Sequence, residues 1–70
     1  MSRTFGPGDL LQLQDAAARA AWAAETARRI APAGDDSVHW RLLAAARCAD
    51  KFVAAVAELA TFISERQEAR

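Results

Sequence analysis

The residues of this sequence that could take part in chemistry are few and scattered. His39 is the only histidine and Cys48 the only cysteine. They are too few for a structural zinc site, and one cysteine cannot form an internal disulfide. His39 follows Asp35 and Asp36 in the first turn of a predicted helix, and some histidine phosphotransfer domains present such a residue on helical hairpins that dimerise into four-helix bundles. A His39-dependent phosphorelay is therefore one alternative function, although no basic or small-residue motif surrounds residues 38–41.

The remaining reactive side chains fit the surfaces of helices better than a catalytic centre. Asp50, Glu58 and Glu25 could supply paired acids, but they alternate with basic residues at spacings typical of solvent-exposed helix faces. Cys48 stands among alanines, where cysteine behaves as a small apolar residue. The three glycines are isolated, so they form no phosphate-binding loop. We expect no catalytic residue, no metal and no cofactor, and we predict that the protein is not an enzyme.

Length and charge narrow the classes of protein further. A chain of 70 residues forms one small domain, which is marginally stable unless a disulfide, a metal or association supports it. The net charge of zero lacks the basic excess of nucleic-acid binders. No apolar run reaches the roughly 18 residues of a membrane span, and residues 1–9 lack the order of a signal peptide. We expect a cytoplasmic protein that binds neither nucleic acid nor membrane, and its alanine and arginine bias is typical of GC-rich bacteria.

The strongest pattern in the chain lies between residues 38 and 63. Its apolar residues recur at alternating steps of four and three, which predicts a helix packed along another helix. Asp36 or Ser37 is the predicted N-cap, so this helix is expected over residues 36–66, with 67–70 as a frayed tail. The predicted seam residues of this helix are Val38, Leu42, Ala45, Ala49, Phe52, Val56, Leu59 and Ile63.

The first half of the chain repeats this spacing with small residues. Asp9 is the predicted N-cap and Gln12 completes a capping-box pattern, so a helix is expected over residues 9–31 after a flexible arm at 1–8. The turn at 32–35 contains Pro32, which disfavours helical geometry before it, and Gly34, which can supply a positive φ. The seam residues are Leu10, Leu13, Ala17, Ala20, Ala24, Ala27 and Ala31, and the stripe is widened by Ala16, Ala23 and Ile30.

A turn this short predicts an antiparallel pair of neighbouring helices. The larger residues of the second helix can fill the space left by the alanines of the first. The predicted core between the helices consists of Leu13, Ala20, Ala24, Ala27, Leu42, Ala49, Phe52, Val56, Leu59 and Ile63.

A second set of large apolar residues lies away from these seams. At helical spacing, Leu11 and Trp22 lie on the far side of the first helix, and Trp40 and Phe62 lie on the flank of the second. One hairpin cannot bury both sets, and exposed aromatic residues are typical of contact surfaces. We predict that these four residues form a homodimer interface or bind a different protein.

The heptad spacing and the short turn resemble the small helix-loop-helix proteins that dimerise into four-helix bundles, such as the plasmid-copy regulator Rop. This resemblance implies an all-α antiparallel hairpin that dimerises in the same way. It also makes RNA binding an alternative function, but Arg19, Arg28 and Arg29 are offset by Asp15 and Glu25 rather than forming a basic face. The sequence therefore predicts a non-catalytic adaptor or regulator that self-associates through apolar helix faces.

Overall fold

The structure is a computed structural model that describes residues 4–68 as two helices joined by a short turn. Helix α1 spans Pro7–Ile30, a single 3-10 turn spans Ala31–Ala33, and helix α2 spans Asp36–Glu68. The predicted all-α class and two-helix hairpin are confirmed. No strand occurs among these residues, and neither helix carries a stretch long and apolar enough to cross a membrane.

Helix α1 begins two residues before the predicted Asp9. Gly6 is the N-cap and Pro7 the first helical residue, a position where the fixed φ of proline fits and its missing N–H has no cost. The Gly6 N–H donates to Asp9 Oδ2 at 2.8 Å. Asp9 therefore stabilises the helix start from within the first turn, and its assignment as the N-cap is wrong. Of the predicted arm, residues 4–6 are not helical, whereas residues 1–3 lie outside the described residues.

The turn between the helices is tighter than the sequence predicts. Ala31 keeps helical angles (φ −53°, ψ −41°) although Pro32 follows it, so α1 runs directly into the 3-10 turn. The Gly34 N–H donates to the Ala31 carbonyl oxygen at 3.1 Å. Gly34 itself has φ −86° and ψ 161°. The prediction that this glycine supplies a positive φ is therefore wrong.

Asp35 caps the start of α2. Its Oδ1 accepts a hydrogen bond from the Val38 N–H at 2.9 Å, which is the usual contact of an N-cap side chain with the third helical residue. Its carbonyl oxygen accepts from the His39 N–H at 2.7 Å. The cap thus lies one residue before the predicted Asp36 or Ser37. Residues 67–68 continue the helix, and 69–70 lie outside the described residues.

The two helices meet along one seam, and the contribution of α1 follows the predicted spacing. Every predicted seam position of α1 is buried or half-buried. On α2, Leu42, Ala49, Val56, Leu59 and Ile63 are also buried or half-buried. The residues of α2 that lie along the seam are His39, Leu42, Ala46, Ala49, Val53, Val56, Ala60 and Ile63.

Three of the eight predicted α2 seam residues are instead rotated out of the contact between the helices. Val38 is 45% exposed and Phe52 39% exposed, whereas Ala46 is 1% exposed. Ala45 is exposed as well. The small residue at position 46 therefore faces the alanines of α1, and Phe52 lies at the edge of the contact rather than within it.

Candidate functional site

The four residues predicted to bind a partner are all exposed. Leu11 and Trp22 are each 66% exposed, Trp40 is 64% exposed and Phe62 is 54% exposed. At about 100° per residue, Leu11 and Trp22 point away from the α1 seam, and Trp40 and Phe62 point away from the α2 seam. The two pairs therefore lie on opposite outer sides of the hairpin, and the fold does not bring the four residues to one surface.

The contacts of the α2 pair are local. The Trp40 ring meets the His39 ring edge-on with centroids 5.2 Å apart. The Arg66 guanidinium carbon lies 5.5 Å from the centroid of the Phe62 ring, a cation–π geometry of modest strength at an exposed site. These contacts each involve a neighbour on α2 and leave most of each aromatic ring open to solvent.

A different surface collects apolar residues from both helices. In an antiparallel pair, the residues that precede seam positions by one on each helix lie on the same side of the pair. Each is rotated by about 100° from the contact, and because the helices run in opposite directions, the two rotations have opposite senses and reach the same side. On α1 these are the residues before Ala17, Ala24 and Ala31. These three are apolar, whereas the residues before Leu13, Ala20 and Ala27 are polar and lie farther from the seam. Together with the residues before His39, Ala46, Val53 and Ala60 on α2, the three form what we name the apolar face: Ala16, Ala23, Ile30, Val38, Ala45, Phe52 and Leu59.

The opposite side of the hairpin is polar, which supports this assignment of sides. Arg28 follows the seam residue Ala27, and Asp50 follows the seam residue Ala49. The Arg28 guanidinium donates to the Asp50 carboxylate across the two helices. Arg28 and Asp50 thus lie on one side of the hairpin, and the apolar face lies on the other.

Comparisons with known proteins identify no relative of this chain. No family model, curated protein or solved structure matches the chain. The surfaces of the hairpin are therefore the basis for a functional assignment.

The two halves of the apolar face differ in side-chain size. The α1 half consists of alanines with Ile30 at the turn end, and Ala20 and Ala27 lie beside it along the seam. The α2 half carries Phe52, Leu59 and Val38. The hairpin thus presents a furrow of small residues next to a ridge of large ones. The sequence pattern predicted Phe52 and Leu59 in the hairpin core and Val38 on its seam, whereas Val38 and Phe52 are exposed and Leu59 is half-buried.

Apolar residues also line a cleft at the open end of the hairpin. It has a volume of about 380 Å³ and is lined in part by Phe5, Pro7, Leu10, Leu11 and Ile63. The described part of the N-terminal arm therefore approaches the end of α2. Phe5 itself remains 49% exposed, so the arm only partly covers this end.

The two side chains that could take part in chemistry, His39 and Cys48, do not form a site. His39 makes a structural contact, and Cys48 lies on the surface. His39 is half-buried, and its Nδ1 lies 3.0 Å from the Ala31 carbonyl oxygen, so the Nδ1–H tautomer ties the turn to α2. Cys48 is exposed. Across residues 4–68, no group of three or more histidine, cysteine or acidic residues could hold a metal ion. Neither His39 nor Cys48 is part of a cluster resembling a catalytic site.

Proposed function

We propose that the protein is a non-catalytic helical interaction module, an adaptor or regulator, that self-associates into a four-helix bundle in the cytoplasm. One observation carries this proposal. The buried residues of the described chain are one valine and four alanines, while the apolar face stays open: Ala17, Ala24, Ala31, Ala46 and Val56 are the buried set. A hairpin with so small a core has its large apolar residues available for another helix pair.

The exposed area supports association. The accessible surface is 5690 Å², whereas a compact folded monomer of the same mass exposes about 4,200 Å². The excess of about 1,500 Å² exceeds the roughly 800 Å² that each partner buries in an interface of standard size. A partner could therefore cover one apolar side of the hairpin, and the chain would still expose at least as much surface as a compact monomer of its mass.

The shape supports association as well. The radius of gyration is 16.0 Å, against about 11 Å for a compact domain of this length. The principal extents of 53 × 27 × 15 Å describe a slab of one helix layer. Stable domains usually bury their apolar faces between at least two layers, and a second hairpin would supply the missing layer.

The test is the solution mass over a concentration series, with circular dichroism recorded on the same samples. We expect a helical species of twice the 7.5 kDa chain mass, and on dilution a loss of mass accompanied by a loss of helicity. A chain that stays monomeric and fully helical at every concentration would refute self-association. A poorly helical monomer at high concentration would also refute it and would indicate that a different protein completes the fold.

A further inference from the structure

We infer that the apolar face binds the apolar face of a second copy, with the α2 ridge of each copy in the α1 furrow of the other and with both turns at the same end. This inference rests on the proposed self-association and gives it a geometry. It concerns the arrangement of the two copies, which a mass measurement does not test.

The furrow and the ridge are complementary in side-chain size. The furrow runs from Ala16 to Ile30, about 21 Å, and the ridge from Val38 to Leu59, about 32 Å at 1.5 Å per residue. Small residues along the furrow let a neighbouring helix approach, and large residues along the ridge fill the space between helices. Each copy carries both halves side by side, so a second copy offers the complementary surface along the alanine part of the furrow.

Two arrangements with twofold symmetry can pair the apolar faces. When the axis runs parallel to the helices, α2 of one copy lies on α1 of the other and the turns meet at one end. When the axis runs across the helices, α2 lies on α2, α1 lies on α1, and the turns lie at opposite ends. Only the first arrangement places Phe52 against the alanines of the furrow, whereas at the turn end it pairs Val38 with Ile30.

Packing density favours the first arrangement. The seam holds the two helices of a hairpin in one plane, so the bulkiest row sets the spacing between the two layers. If α2 lay on α2, Phe52 and Leu59 would meet large residues of the other copy, and the alanines of the two α1 helices would face a gap. Protein interiors are close-packed with few voids. The ridge-in-furrow arrangement avoids this gap.

The register also fits. The contact of His39 with Ala31 places these residues at one height, so Phe52 lies near the height of residues 18–20 when equal steps are counted along both helices. With the turns together, Phe52 would enter between Ala16, Ala20 and Ala23 of the second copy. The largest residue of the ridge thus reaches the part of the furrow where the side chains are smallest.

The decisive experiment measures the distance between the two turns. Ala33 is exposed in the turn, and the variant Ala33→Cys in a Cys48→Ala background takes one spin label per chain. Pulsed electron paramagnetic resonance on the full chain should give a distance below about 25 Å, because neighbouring helix axes lie about 8–10 Å apart. With the turns at opposite ends, the labels would be about 40 Å or more apart at 1.5 Å of rise per residue.

A second labelled variant keeps the outcomes distinct. Lys51 is exposed on α2 near the middle of the hairpin, so Lys51→Cys in the same background gives a measurable distance in either dimer, and circular dichroism checks that both variants are helical. The inference is supported if the labels at position 51 give a measurable distance between the two copies and the labels at position 33 give a short one. If the labels at position 51 give a measurable distance but the labels at position 33 are far apart, the inference is overturned and self-association stands. No distance in either variant, with a monomeric mass, refutes both the inference and the proposed function.

Discussion

Gly34, in the turn between the helices, has φ −86° and ψ 161°, which are angles that any residue can adopt. The reason for glycine is space. A Cβ built at this position would lie 2.7 Å from Val38 Cγ1 and 3.0 Å from Val38 Cβ. The turn folds back so closely over the first turn of α2 that the missing side chain is part of the packing.

Gly34→Ala should therefore destabilise the protein. The added methyl group must displace Val38 or the turn, and overpacking of this kind costs about 1–3 kcal/mol. Urea unfolding followed by circular dichroism, at one fixed protein concentration, would measure the loss.

Gly8→Ala is the matched control for this change. Gly8 lies in the first turn of α1, where an added Cβ meets nothing within 4 Å, and replacing a helical glycine by alanine is worth about 0.5–1 kcal/mol of stability. The two substitutions add the same methyl group and should act with opposite sign. If Gly34→Ala were neutral or stabilising, the close approach of Val38 to the turn would be incorrect.

At the scale of the helices, the small residues of α1 set the distance between α1 and α2. Ala24 is 1% exposed and Ala46 is 1% exposed, so backbone and small side chains fill the middle of the seam. A larger residue on this side of α1 has no free space to occupy.

Ala24→Leu should destabilise the hairpin by about 1–3 kcal/mol, because the seam cannot widen at one point without losing its neighbouring contacts. Leucine is nearly as good a helix former as alanine, so the effect reports packing. Ala18→Leu on the exposed side of α1 is the control and should change the unfolding free energy little. Equal effects of the two substitutions in urea unfolding would contradict a close alanine seam.

The same seam shows what the sequence could and could not predict. On α1, the predicted seam positions at three-four spacing are the ones buried or half-buried against α2. On α2, Phe52 and Val53 are adjacent and both apolar, as are Ala45 and Ala46. Periodicity alone cannot decide which of two neighbouring apolar rows turns toward α1, and the bulkier row was chosen.

Local competition between caps explains the shifted helix starts. Asp9 matched the pattern of an N-cap, but the Gly6 and Pro7 pair begins α1 earlier, and Asp9 then accepts a hydrogen bond from the Gly6 N–H. The exposure of Trp22 and Trp40 followed from their spacing. Their location on opposite outer sides depends on how the two helices are rotated against each other, which is a tertiary property.

At the scale of the whole molecule, the hairpin is a flat layer with unequal sides. One side carries the apolar face, the other carries the Arg28–Asp50 ion pair, and the two outer edges carry isolated aromatic residues. An exposed ion pair of this kind contributes at most about 1 kcal/mol. Burial of the apolar face against a partner would therefore stabilise the folded chain more than this ion pair does.

Substitutions at Phe52 and Phe62 can distinguish association through the apolar face from association through an outer edge. Phe52→Ala should raise the dissociation constant of the dimer about tenfold to fiftyfold. Each dimer loses two side chains, and because Phe52 is 39% exposed in the hairpin, association buries only that fraction of a side chain whose full burial is worth about 1.5–3 kcal/mol. Phe62→Ala removes the same group from an outer edge, where the ring contacts Arg66, and should leave the dissociation constant within about threefold. Sedimentation equilibrium of the wild-type chain and both variants measures these constants.

The comparison of the two variants excludes the simpler explanation that losing any phenylalanine unfolds the chain. Phe52 is 39% exposed in the hairpin, so its removal should still permit helix formation at high protein concentration, which circular dichroism would show. A weaker dimer with helicity recovered at high concentration places the loss in the interface. A larger effect from Phe62→Ala would instead assign association to the outer edge of α2, and the apolar face would then lose its proposed role.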